Sequence, residues 1–123
     1  MAHLLIVDDD DPFRKMLRLT LQQLGHLVAE ARDGDEALLL HQKVAFDMIL
    51  TDLIMPNKEG IETIISLRRQ RPEVKIIAMS GGGRLNAKDI LAVAKAMGAN
   101  QVLAKPFSNE SLVAALAAAA SPA

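Results

Sequence analysis

The sequence predicts an α/β protein built on a doubly wound parallel sheet, and three observations carry that reading. Short apolar runs of the kind that fill buried parallel strands recur along the chain: LLIV, MIL, IIAM and VLA. Between them lie segments whose apolar residues fall at helical spacing, several of them closed by Gly or Pro. The connections are a few residues long, and parallel neighbours need right-handed helical crossovers, so strict alternation of strand and helix favours this architecture.

His3 to Val7 is the first strand. The acids that follow lead into a helix carrying Pro12, Phe13, Met16, Leu17, Leu21 and Leu24, which stops at Gly25. Pro12 suits the first helical position, which makes Asp11 the cap. Leu27 to Ala31 is a second strand, Asp33 and Gly34 form a turn, and Asp35 to Lys43 is a helix with a stripe through Ala37, Leu38 and His41. Asp47 to Thr51 is the third strand. Met55 and Pro56 open a loop, and Glu59 to Arg71 is a helix with Ile61, Ile64, Ile65 and Leu67 turned inward until Pro72 ends it. Val74 to Met79 is the fourth strand, Gly81 to Gly83 a loop, Asn86 to Met97 a helix closed by Gly98, Gln101 to Ala104 the fifth strand and Asn109 to Ala119 the last helix.

The 123 residues fit a single domain with one burying core and leave no room for a second. A net charge of −1 excludes a strongly basic nucleic-acid surface or a polybasic membrane patch. The chain has no cysteine, which excludes disulfide frameworks, thiol catalysis and zinc ribbons. LLIV runs into four acids, whereas an export signal needs roughly 7–15 apolar positions. Leu112 to Ala120 is far short of the roughly 18 residues that span a bilayer. The expectation is a soluble cytoplasmic protein. The tail Ser121, Pro122, Ala123 suits a natural end or the start of a linker.

Four of the apolar runs end in groups that handle phosphate: Asp8 and Asp9, then Thr51 and Asp52, then Ser80, then Lys105. Parallel sheets place ligands at the carboxyl ends of their strands, so three acids, a hydroxyl and an ammonium are expected in one pocket. Carboxylates about 5 Å apart repel by roughly 3 kcal/mol per pair at an effective dielectric near 20. A divalent cation relieves this, and a small set of hard oxygen ligands suits Mg²⁺ or Mn²⁺ better than Ca²⁺. Helix capping explains Asp10 and Asp11. It does not explain Asp8 and Asp9, which end a strand beside a second acid-ended strand.

In order and spacing, these residues resemble a response-regulator receiver domain of the CheY-like type over essentially the whole chain. The matching stretches are Val7-Asp8-Asp9 with Arg14 five residues on, Asp47 to Pro56 with Gly60, Ile76 to Gly81, and Lys105-Pro106-Phe107. The resemblance implies a flavodoxin-like five-stranded sheet in strand order 2-1-3-4-5. It also implies that Asp52 accepts a phosphoryl group from a phosphohistidine of a sensor histidine kinase or histidine phosphotransfer protein. Asp9, Asp52 and the Ile54 carbonyl would ligate the metal, with Asp8 acting through a water. Lys105 would pair with the phosphoryl oxygens, across a cis bond to Pro106, and the Ser80 hydroxyl would be recruited to the phosphoryl group. A downstream protein target would bind the face formed by the fourth helix, fifth strand and fifth helix. Such a domain signals, and it catalyses only its own phosphorylation and dephosphorylation.

The chain departs from the pattern at Val102, where many receivers carry Tyr or Phe. A β-branched side chain has a stiff χ1 and little reach, so an aromatic rotamer switch cannot operate there. Gly81-Gly82-Gly83 is read as a hinge for Ser80, since no Gly-Lys-Ser/Thr follows to make a P-loop. The histidines are expected at the surface or an edge, the methionines mostly in the core, and Val93, Ala94 and Met97 as a core stripe. A Mg²⁺-dependent Asp-nucleophile phosphohydrolase is the competing enzyme reading, on Asp8-x-Asp10, but Ile54 stands where Asp52 would need a second acid. A flavodoxin-like nucleotide binder would need phosphate-cradling backbone where four acids stand. Without a DNA-binding segment, a stand-alone regulator or a relay is favoured over a piece of a transcription factor.

Overall fold

The computed structural model describes residues 2–53, 60–81 and 87–120, with the side chains of 87–91 excepted. Among these, β1 (His3–Val7), α1 (Asp11–Gln23), β2 (Leu27–Ala31), α2 (Gly34–Lys43), β3 (Met48–Asp52), α3 (Gly60–Gln70), β4 (Lys75–Ser80), α4 (Ala87–Ala96), β5 (Gln101–Ala104) and α5 (Asn109–Ala120) alternate along the chain. The strands form one parallel sheet in the order β2-β1-β3-β4-β5, as expected.

Successive side chains of a strand point to opposite faces, and here the two faces make two cores. Leu5, Val7, Ile49, Ile76 and Ala78 meet Ala37 of α2, Ile64 and Leu67 of α3 and Ala94 of α4. Leu4, Ile6, Leu50, Ile77 and Met79 meet Leu17 and Leu21 of α1 and Leu112, Leu116 and Ala119 of α5. The central strands β1, β3 and β4 are covered on both sides, which is why their sequences are nearly unbroken apolar runs.

Several expectations need correction. β3 and β4 each sit one residue later than predicted, because the ladder continues through Asp52 opposite Met79 and Ser80 opposite Ala104. The cap of α1 is Asp10, whose side chain accepts from the Phe13 N–H at 3.2 Å, and Asp11 lies inside the helix. Pro12 is accommodated one position further in, where the backbone N–H also lacks a helical partner. Asp11 instead pairs with Arg14 at 2.6 Å, and that hydrogen bond and charge hold its carboxyl below the usual range.

His41 is fully buried rather than at the surface, because it follows Ala37 by one helical turn on the inward stripe of α2. Its ring stacks on Phe46, and its Nδ1 accepts from the Phe46 N–H at 3.4 Å. Met48 and Met79 are core residues, whereas Met16 and Met97 are exposed. Of the expected stripe on α4 only Ala94 meets the sheet, and Val93 is exposed with Met97. At that edge, β5 is only four residues long and offers little surface to cover.

Candidate functional site

Parallel register brings the acids together. Val7 pairs with Thr51, so Asp8 and Asp52 step off adjacent strands side by side, with Asp9 one residue beyond. One carboxylate oxygen from each of Asp8, Asp9 and Asp52 lies within 4.8 Å of the others. Asp8 and Asp52 are buried, while Asp9 is exposed at the mouth.

Asp8 is held at every polar atom. Its N–H donates to the Ala31 carbonyl at 3.1 Å, and its own carbonyl accepts from Arg14 Nη1 at 2.7 Å. Of its carboxylate oxygens, Oδ1 accepts from the Asp10 N–H at 2.9 Å and Oδ2 from Lys105 Nζ at 2.7 Å. Arg14 is itself fixed by Glu30 of β2 at 2.9 Å and by Asp11. The guanidinium therefore ties the ends of β1 and β2 to the first turn of α1, and a planar fork with five donors suits such a junction.

Lys105 follows β5 and reaches across the sheet. Its Nζ also lies 3.6 Å from Asp52 Oδ2 and 4.1 Å from the centroid of the Phe13 ring. Its backbone N–H donates to the Ser80 carbonyl at 2.8 Å, and the Lys105–Pro106 peptide bond is cis, as the resemblance implied. Ser80 is buried at the end of β4, with its hydroxyl donating to the Gly81 carbonyl at 3.4 Å. The fold thus gathers Asp8, Asp9, Asp52 and Lys105 by their side chains and joins Ser80 to them through the backbone. Ile54, Met55, Pro56, Gly82 and Gly83 lie outside the described residues, and with them the expected carbonyl ligand and most of the glycine hinge.

Sequence reasoning gave no role to two groups that shape the pocket. A Cβ on Gly60 would lie 2.3 Å from Leu53 Cα and 2.4 Å from the Asp52 carbonyl oxygen, so the start of α3 rests directly on the backbone of Asp52 and Leu53. The Gly60 N–H donates to the Leu53 carbonyl at 3.0 Å. Phe13 lines the Lys105 side of the pocket and meets Phe107 edge-on, at 6.0 Å and 88°. Gly60 was visible as a motif glycine, whereas nothing in the spacing of Phe13 distinguishes it from an ordinary helix residue.

The donor set fits a hard divalent cation. It is all carboxylate oxygen, close-spaced, and open to solvent on the Asp9 side. Both carboxylate oxygens of Asp8 are already engaged, by the Asp10 N–H and by Lys105 Nζ, and the same ammonium stands 3.6 Å from Asp52 Oδ2. An Asp cluster of this kind is where receiver domains bind Mg²⁺.

Comparison with known proteins agrees with this geometry. Residues 4–117 match the family model of the response regulator receiver domain. The chain is 34% identical to the transcriptional regulatory protein CpxR of Escherichia coli K12, over 96% of this chain and 49% of CpxR. It is 32% identical to the autoinducer sensor kinase/phosphatase CqsS of Vibrio cholerae, over 94% of this chain and 17% of CqsS. Among solved structures, the chemotaxis protein CheY4 of Vibrio cholerae superposes with a TM-score of 0.83 at 37% identity, covering 95% of this chain and 97% of that one. The chain spans half or less of the length of the curated relatives it matches. It belongs to the response regulator receiver domain family, the phosphoacceptor modules of two-component phosphorelays. That membership sets the phosphohydrolase reading aside. Among the described residues, no helix is long and apolar enough to cross a membrane.

Proposed function

We propose that Asp52 is the phosphoacceptor of this receiver. Its carboxylate oxygen attacks the phosphorus of a phosphohistidine on a sensor kinase or histidine phosphotransfer protein. The P–N bond breaks, the imidazole leaves, and an acyl phosphate remains on Asp52. The observation that carries this is the cluster at the strand ends in which the buried Asp52 lies beside the buried Asp8, the exposed Asp9 and the Lys105 ammonium.

Asp9 and Asp52, with the Ile54 carbonyl, would hold Mg²⁺ or Mn²⁺ directly, and Asp8 would act through a water. Bound there, the cation neutralises charge on the phosphoryl oxygens. Lys105 moves its ammonium from Asp8 towards those oxygens, and the Ser80 hydroxyl turns from the Gly81 carbonyl to accompany it. The displacement passes to the α4-β5-α5 face, where the exposed Val93 and Met97 suit docking of a protein target.

Incubation with Mg²⁺ and acetyl phosphate, read by intact mass, tests the assignment. Wild type gains one phosphoryl group and Asp52→Asn gains none. An Asp52→Asn variant that accepts phosphate at the wild-type rate would refute it.

A further inference from the structure

The ammonium of Lys105 touches a third surface besides its two carboxylates. Nζ stands 4.1 Å from the centroid of Phe13, over the ring face, where the aromatic quadrupole attracts a cation. Phe13 is set by two constraints: its backbone N–H is bound by the Asp10 cap, and its ring is packed edge-to-face against Phe107. Phe107 lies two residues beyond Lys105, so both ends of this small assembly belong to the same turn. On the other side of the lysine stem stands Gly81, at which an added Cβ would come only to ordinary contact distance, 3.6 Å, from Lys105 Cδ.

A lysine side chain is a point charge on a flexible stem and loses rotamer freedom wherever it is held. In the free protein, the contact with Asp8 orders it. When the ammonium leaves Asp8 for an incoming phosphoryl group, that restraint is lost at the moment of reaction. The ring face is the contact that can persist, since it attracts the ammonium at 4.1 Å without competing with either acid for a hydrogen bond.

We propose that Phe13 is a positioning residue for phosphoryl transfer. Its ring keeps the Lys105 ammonium at the pocket mouth while that group passes from Asp8 to the phosphoryl oxygens. This rests on the reading of Asp52 and Lys105 given above.

The test is a double-mutant cycle on the initial rate of phosphorylation by acetyl phosphate with Mg²⁺, combining Phe13→Leu with Lys105→Ala. Phe13→Leu conserves apolar bulk at a half-buried site and removes the quadrupole. It is expected to slow phosphorylation about 2- to 30-fold, the range that an exposed to a desolvated cation–π contact spans. Phe13→Tyr restores the rate, and in the Lys105→Ala background Phe13→Leu has no further effect. In the metal-free protein, the Lys105 Hε protons resonate upfield in wild type and Phe13→Tyr, and return to ordinary positions in Phe13→Leu. Equal slowing by Phe13→Leu in both backgrounds overturns the proposal, because the ring would then act by packing alone. So does a Phe13→Leu variant as fast as wild type beside a slow Lys105→Ala. A Lys105→Ala variant as fast as wild type, or a wild type that takes no phosphate, removes the site reading and the proposal with it.

Discussion

His41 illustrates how much a single side chain depends on where its neighbours put it. Phe46 donates to Nδ1, so the neutral ring carries its proton on Nε2, which is buried without a hydrogen-bond partner. Burial first, and then the charge of Arg71, hold its pKa below 6.5. Protonation would also set Nδ1–H against the Phe46 N–H. The unfolded chain therefore binds this proton more readily, and stability falls as pH drops from about 6.5 towards the lower folded value. His41→Leu is expected to flatten that slope in denaturant titrations below about pH 6.5, and an unchanged slope would assign it to other groups. Asp10→Ala tests the relocated cap, with an expected loss of about 1 kcal/mol; if Asp11 were the cap, Asp11→Ala would be the more damaging change. Asp8, Asp9, Asp52 and Lys105 were legible because each ends an apolar run, and the run itself predicts the strand. The burial of His41 and the ring beneath Lys105 were not, since they depend on which residues a helix face meets across the fold.

The elements were readable to within a residue or two, and the one-residue shifts in β3 and β4 have a shared cause. A polar residue breaks an apolar run in sequence without breaking a hydrogen-bond ladder, so Asp52 and Ser80 remain paired in the sheet. α3 shows the other side of this limit, because its contact with the end of β3 is backbone on backbone at Gly60. Gly60→Ala is expected to lose about 1–3 kcal/mol through overpacking and to slow phosphorylation by displacing Asp52. A variant with wild-type stability and rate would show that α3 can retreat. Farther from the pocket, Arg68 of α3 donates to the carbonyls of Pro72, Val74 and Gly98 and to Asn100 Oδ1, which also accepts from the Ile76 N–H. These bonds fasten the opposite ends of β4 and β5. On β5 itself, Val102 pairs with Ala78 and packs against the first core. Backbone amide shifts with and without a phosphoryl mimic are expected to be small there and large around Ser80 and Lys105. Large shifts centred on Val102 would count against a stiff, short side chain at that position.

At the scale of the whole molecule, the acidic pocket links stability to the ionic environment. Anything that binds the folded chain alone raises its stability, by about 1.4 kcal/mol at a tenfold excess over the dissociation constant. Mg²⁺ is therefore expected to raise Tm, EDTA to reverse the rise, and Asp9→Asn to abolish most of it; a rise unaltered in Asp9→Asn would locate the cation elsewhere. The pocket also has a history along the chain. Asp8 and Lys105 are 97 residues apart, and β1 cannot have both its neighbours until β2 and β3 exist. At about 5–20 residues per second, a ribosome exposes the acids several seconds before it makes the lysine that answers them. A growing chain thus carries uncompensated acids but no finished receiver, and competence to take a signal arrives only when the last strand docks.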